Sequence, residues 1–175
     1  MNITVIGRGN IGGGLAARWR KAGHEVQELG KDGGDVSNAD AVLVAVPSGV
    51  IGVALGKVSG LEGKVAIDAT QRLRRPQRGV PVARRRGEVP HEGAVAKAFN
   101  LNFAVLYDKI DEQPDRPGQL YAADDEARDI AEQLIRDAGF DPVNGGGLDN
   151  ARALEDFIGP FAASGPGFYK FWKPA

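Results

Sequence analysis

The stretch best suited to chemistry is Gly7-Arg-Gly-Asn-Ile-Gly12. Glycines at this spacing bare backbone N–H groups that a side chain would otherwise cover, and bare amide hydrogens bind diphosphate oxygens. In such a turn Gly7 makes the tight bend, Gly9 admits a pyrophosphate to the backbone, and Gly12 lets a helix pack close to a strand. Arg8, Asn10 and Ile11 complete the candidate phosphate grip. Arg8 has two readings: a charge beside a further phosphate, or an arginine facing solvent. The competing reading of the whole turn is a glycine bend that only packs a strand against a helix.

The flanking residues supply the elements this grip requires. Asn2 to Ile6 is a short β-branched apolar run, which predicts a buried parallel strand. A helical pattern follows, with Ile11, Leu15 and Trp19 four apart and Ala16 and Ala22 on the same face, closed by Gly23. His24 to Leu29 predicts the second strand, whose tip selects the cofactor. An acid there holds the adenosine ribose of NAD, and a base accepts the extra phosphate of NADP. Gly30 stands in the acid's place with Lys31 directly after it, which favours NADP(H); Asp32 keeps NAD open.

Lys31 to Asp40 has no helical period, so the crossover helix of a standard mononucleotide unit is expected to be cut down to a loop. Ala41 to Val46 is the clearest buried strand, broken by Pro47-Ser48-Gly49 and followed by a short helix through Ile51 and Leu55. Strand carboxyl ends face the ligand crevice in such folds, so Ala45, Val46, Pro47 and Ser48 are candidates for the nicotinamide ribose, with a plain strand stop as the alternative. Lys64 to Asp68 is a further strand, ending in Ala69-Thr70-Gln71, and Gly93 to Asn100 another, ending in Lys97-Ala98-Phe99-Asn100. Asp68 reads as a buried carboxylate holding the next loop rather than as a base. Leu101 to Asp111 is apolar without a clear period. Gln119 to Ala123 predicts a strand, and Asp124 opens the best helix, with Ala127, Ile130, Ala131, Leu134, Ile135 and Ala138 on one stripe and Gly139 at its end. Phe140 to Val143 is a short last strand. Gly145 to Gly147 is a hinge into a helix through Leu154, Phe157 and Ile158.

Arg72, Arg74, Arg75, Arg78, Arg84, Arg85 and Arg86 make the one strong charge bias. They read either as a solvated loop or as a site for an anionic substrate or carboxylate tail, with nucleic acid a distant third. The tail gathers Phe168, Tyr169, Phe171 and Trp172, which must be covered by a subunit interface, by a pocket rim or by the chain itself.

With 175 residues, 42% hydrophobic and 26% charged, the chain has the composition of an ordinary globular domain. A net charge of −1 argues against a nucleic-acid binder, and the lack of cysteine removes disulfides and thiol chemistry. His24 and His91 have no metal spacing, and no apolar run is long enough to span a membrane. A strand at the N-terminus leaves no room for a signal peptide, so a cytoplasmic location is expected. The expected fold is α/β, a Rossmann-type doubly wound and mostly parallel sheet over 1–147. A short C-terminal helical and aromatic extension over 148–175 is not an independent domain. No Ser/His/Asp set or acidic pair stands out, as suits hydride transfer, where positioning of a cofactor supplies the reactivity.

Gly7-Arg-Gly-Asn-Ile-Gly12, Ala22-Gly-His-Glu-Val26, Val42-Leu-Val-Ala-Val-Pro47, Asp68-Ala-Thr70, Lys97-Ala-Phe-Asn100 and Gly139-Phe-Asp-Pro-Val143 follow one another along nearly the whole chain. Together they resemble the NADP-dependent oxidoreductases that act on the deazaflavin coenzyme F-420; Lys-Ala-Phe-Asn and Gly-Phe-Asp-Pro-Val are the more specific motifs. The resemblance implies an NADP-binding Rossmann domain, often dimeric, that passes hydride between nicotinamide C4 and deazaflavin C5. It implies that Gly7 to Gly12 hold the pyrophosphate and that Gly30 and Lys31 stand where a Ser-Arg pair reads the adenosine phosphate. Val46 and Pro47 would adjoin the nicotinamide ribose, and Ala98, Phe99 and Asn100 the nicotinamide and its acceptor, with Asn100 the one candidate for a catalytic role. Two departures are Gly30 in place of serine, and Thr70-Gln71 where the family has Thr-Asn-Pro. A small imine or ketone reductase and a nucleotide sensor without turnover are the alternatives. The expected partners are a nicotinamide nucleotide, a small anionic acceptor and a second copy of the chain.

Overall fold

The computed structural model describes residues 1–71, 93–102 and 104–157; the arginine-rich stretch, His91 and the aromatic tail lie outside them. β1 (Asn2–Ile6) leads through the glycine turn into α1 (Asn10–Lys21), then β2 (Glu25–Leu29), β3 (Gly34–Asp35) and β4 (Ala41–Val44). A 3-10 turn (Ser48–Val50) enters α2 (Ile51–Leu55), followed by β5 (Val58–Ser59), β6 (Val65–Asp68) and β7 (Val95–Lys97). A 3-10 helix (Ala104–Glu112), β8 (Gly118–Ala123), α3 (Asp125–Asp137) and β9 (Asp141–Asn144) come next. A last 3-10 turn (Leu148–Asn150) runs into α4 (Ala151–Asp156).

The main sheet runs β2-β1-β4-β6-β7-β8-β9, parallel except where β8 turns antiparallel to β7. From β1 the chain steps outward to β2, then returns past β1 to lay down β4 on its other side. The order therefore reverses between β1 and β4, and in open α/β sheets that reversal opens a crevice beyond the carboxyl ends of the two strands. This is a Rossmann-type doubly wound sheet.

No helix joins β2 to β4: the connection is a loop whose β3 pairs with β5 in a separate two-stranded sheet. Val36 and Ala39 anchor it in the core, so it replaces the crossover helix with two apolar pegs. Among the described residues no strand lies beyond β2, which makes it an edge, and Glu25 and Gln27 are exposed.

The sheet is buried on both faces. One face packs α1, α3 and the 3-10 helix over Ile3, Val5, Leu43 and Ile67. Its centre is aromatic, with Trp19–Phe99, Phe99–Phe140 and Tyr107–Phe140 in edge-to-face pairs 6.0, 6.2 and 6.3 Å apart. Trp19 is fully buried and its indole N–H donates to the Leu134 carbonyl at 2.8 Å, so truncating it would cost about 3–5 kcal/mol. The opposite face joins Ile6, Val44, Ile51 and Leu55 to Leu148 and Ala151, so the segment after Gly147 shares the core of the sheet.

Three expectations are corrected. Ala22 is the exposed C-cap of α1 rather than part of its apolar stripe, because the helix stops one residue earlier. The run from Ala41 is strand only to Val44; Ala45 and Val46 leave the ladder on the way to Pro47. The stretch after Leu101 is a 3-10 helix, which hides Tyr107 and Ile110 beside α1. Its three-residue repeat escapes a search for a 3.6-residue period. Among the described residues no helix is long and apolar enough to cross a membrane.

Candidate functional site

The glycine turn sits at the mouth of the crevice between β1 and β4. Gly7 has a φ of +108°, and a Cβ there would lie 2.4 Å from the Ala45 carbonyl oxygen. Its N–H donates to Leu29 at 3.1 Å, which ties the exit of β1 to that of β2. A Cβ on Gly12 would lie 1.9 Å from the Gly7 carbonyl oxygen, so only glycine lets α1 start this close to the strand. Gly9 is different. It is the N-cap of α1, and its Cβ position has no heavy atom within 4 Å.

No side chain caps α1 and no acid occupies its first turn. The N–H groups of Asn10, Ile11 and Gly12 have no carbonyl within the helix to bond, and the helix dipole adds partial positive charge at this end. An open backbone face with bare donors suits an anion with several oxygens. Asn10 is exposed beside it, while Ile11 packs partly against the core.

The Arg8 guanidinium lies across Gly30 at the tip of β2, with its Nη2 2.4 Å from where a Gly30 Cβ would stand. Glycine at this position therefore makes room for the arginine. Among the described residues neither Arg8 nor the Lys31 ammonium has an ion-pair partner. Lys57 bonds the Lys31 carbonyl at 2.8 Å, adding a third positive charge nearby. Asp32 is exposed and pairs with none of them.

At the exit of β4, Ala45 keeps its N–H on the Ile6 carbonyl at 2.9 Å. Val46 and Ser48 are half-buried and Pro47 is exposed, starting the turn into α2 by accepting the Val50 N–H at 3.0 Å.

The exits of β6 and β7 hold a buried ionic cluster. Lys97 is wholly buried and donates to Asp68 Oδ2 at 3.1 Å, the Thr70 carbonyl at 2.6 Å and Glu155 Oε1 of α4 at 2.7 Å. All three ammonium hydrogens are used, which is what a buried lysine requires. Asp68 spends its other oxygen on the Thr70 N–H at 2.8 Å, holding the next loop as expected. Asn100 donates to Gln71 at 2.9 Å and to the Leu154 carbonyl at 3.1 Å, while Gln71 donates to the Glu155 carbonyl at 3.0 Å. Two buried oxygens in this set have no hydrogen-bond partner: Thr70 Oγ1 and Asn100 Oδ1. Each such oxygen costs about 1–3 kcal/mol if left unsatisfied.

The candidate cofactor-binding residues from Gly7 to Asn100 thus all follow the carboxyl end of a parallel strand, on one rim of the sheet. Their side chains divide. Ala98 and Phe99 are committed to the core, Phe99 with a φ of +63° that non-glycine residues rarely adopt, so only their backbone is free for a ligand. Thr70 and Asn100 stay polar. Glu155 and Gln71 carried no local signal, because their role depends on where α4 docks. Lys97 did carry one: a lysine inside an apolar strand must find partners.

Neither a family model nor a curated protein matches the sequence. Solved structures do. A candidate F420-dependent NADP-reductase from an Arthrobacter species superposes with a TM-score of 0.74 over 93% of this chain and 92% of that one, at 18% identity. A hypothetical protein of Sinorhizobium meliloti gives 0.65 over 95% and 88%, at 25% identity. Pyrroline carboxylate reductase of Plasmodium falciparum, with NADP bound, gives 0.52 over 94% and 67%, at 10% identity. These likenesses establish the fold.

Proposed function

We propose that the protein is an NADP(H)-dependent oxidoreductase that exchanges hydride with a small anionic acceptor of the deazaflavin, F-420-like type. The observation that carries the nucleotide choice is the Arg8 guanidinium laid over Gly30, with exposed Lys31 the next residue in the chain. An acid at the tip of β2 would repel a phosphate, whereas two cations at that place attract one. The residues fit the whole group. The open face of Gly9 and the first-turn N–H groups of α1 suit a diphosphate, and the exits of β4, β6 and β7 continue the crevice toward a ring.

Bound NADPH would supply the hydride. The chain's own work is to grip the diphosphate at Gly7 to Gly12, to read the adenosine phosphate with Arg8 and Lys31, and to hold the far end of the crevice still. The last task falls to the Lys97 cluster, which locks the loops after β6 and β7 to α4. Fixed geometry is a large share of what a hydride transfer needs from an enzyme. The acceptor reading draws on the motif resemblance and on the likeness to the Arthrobacter structure.

Titration of NADPH and NADH by fluorescence, followed by F-420 absorbance with NADPH present, tests both halves. NADPH is expected to bind more tightly, and Arg8→Ala to weaken NADPH about tenfold with NADH unchanged, the loss of one exposed charge-assisted bond. Equal binding of the two nucleotides, insensitive to Arg8→Ala, overturns the NADP assignment. NADPH binding without oxidation by F-420, ketones or imines would make the protein a sensor.

A further inference from the structure

Lys57 meets the tip of β2 from outside both the glycine turn and β2. It lies between α2 and β5, its N–H bonding the Ala54 carbonyl at 3.3 Å. β5 pairs with β3 in parallel, Gly34 opposite Val58, which sets Lys57 against the turn that carries Gly30 and Lys31. The approach is tight. Gly34 donates its N–H to the Lys57 carbonyl at 3.1 Å, and a Cβ on Gly33 would lie 2.0 Å from that oxygen and 2.6 Å from the Lys57 Cβ. Gly33, at a φ of +76°, therefore leaves room for the lysine. The Lys57 ammonium then donates to the Lys31 carbonyl at 2.8 Å.

That carbonyl is neutral, so the ammonium keeps its full charge, and two of its three hydrogens remain. Lys57 is exposed, and among the described residues no carboxylate pairs with it. Arg8 reaches the same dipeptide separately, its guanidinium over Gly30. Two cationic heads thus meet Gly30-Lys31, one delivered by the exit of β1 and one by the exit of α2. Like charges held together repel, and a dianion among them turns that repulsion into attraction.

We infer that Lys57 is a specificity-determining residue for NADP(H): its ammonium is a third cation for the adenosine phosphate, carried to the β2 tip by the β3–β5 pair that stands in for a crossover helix. This rests on the NADP reading of the same crevice and deepens it with a residue from a separate part of the chain.

The test is fluorescence titration of the full chain with NADPH and NADH, beside Lys57→Met, which keeps the apolar stem, and Lys57→Arg, which keeps the charge. Lys57→Met is expected to raise the Kd of NADPH about fivefold, the loss of one exposed charge, and to leave NADH within about twofold. Lys57→Arg should stay close to wild type. A residue that only braces the turn would move both nucleotides together, so equal weakening of the two, or of neither, overturns the assignment. Brief acetylation read by mass spectrometry follows the same contact on the unaltered protein. NADPH should slow modification of Lys57 and NADH should not; equal reactivity with the two nucleotides overturns it. The failures are separable. If Arg8→Ala weakens NADPH alone while Lys57→Met does not, Lys57 drops out and the NADP reading stands. If the wild-type protein does not prefer NADPH, both fall.

Discussion

Gly9→Ala separates what the glycine turn does for folding from what it does for binding. Gly9 has a φ of −78° and a ψ of −171°, extended backbone open to any residue, and its Cβ direction is empty to 4 Å. An alanine there strains nothing. Stability should stay within about 0.5 kcal/mol of wild type, or rise slightly as the unfolded chain loses freedom. The new methyl, however, takes up the open space over Gly9 that the proposed diphosphate would occupy on its way to the first-turn N–H groups of α1. Pushing the diphosphate out of reach forfeits one or two charge-assisted bonds of about 1.5 kcal/mol each, or roughly a 10- to 150-fold rise in Kd. NADPH and NADH should suffer alike, since both carry the diphosphate. Urea unfolding and nucleotide titration on the same preparation give both quantities. A Gly9→Ala protein that binds NADPH with wild-type affinity would refute the placement of the diphosphate at this turn.

Gly12→Ala should do the opposite first: its Cβ, 1.9 Å from the Gly7 oxygen, forces α1 off β1, and thermal or urea melts should show a loss of about 1–3 kcal/mol. Weaker nucleotide binding should follow, since the first-turn N–H groups move with the shifted helix. Burial of the Tyr121 phenol, reinforced by its hydrogen bond to Glu132 at 2.5 Å, raises its pKa from the ordinary 10 to about 12. The folded value lies above the unfolded one, so this stability is complete below pH 10 and is lost between pH 10 and 12. Its size is on the order of 1–2 kcal/mol, Glu132 being partly open to solvent. Urea melts across that range should show the loss in wild type and not in Tyr121→Phe; an identical slope in both would contradict it.

Local sequence was enough for β1, the glycine turn and α1, because each is dictated within a few residues: a β-branched run, three glycines, and Leu15 and Trp19 one turn apart. The same holds for α3, whose stripe of Ala127, Ala131, Leu134 and Ile135 is buried as its spacing requires. The loop in place of a crossover helix was also legible, since Lys31 to Asp40 offers only Val36 and Ala39 as apolar residues, too few for a helical face. Tertiary structure alone decided the rest. The sequence left Arg8 with two readings and only the fold lays it over Gly30, while no local pattern tells Glu155 that it will meet Lys97 across 58 residues of chain. Phe99 reads as a site residue in its motif, yet its ring goes to the core, because Trp19 and Phe140 leave an aromatic gap that only folding creates. Periodicity reports which face of an element is buried. It carries no record of which distant charges will share that burial, and the rim of the crevice is built from those encounters.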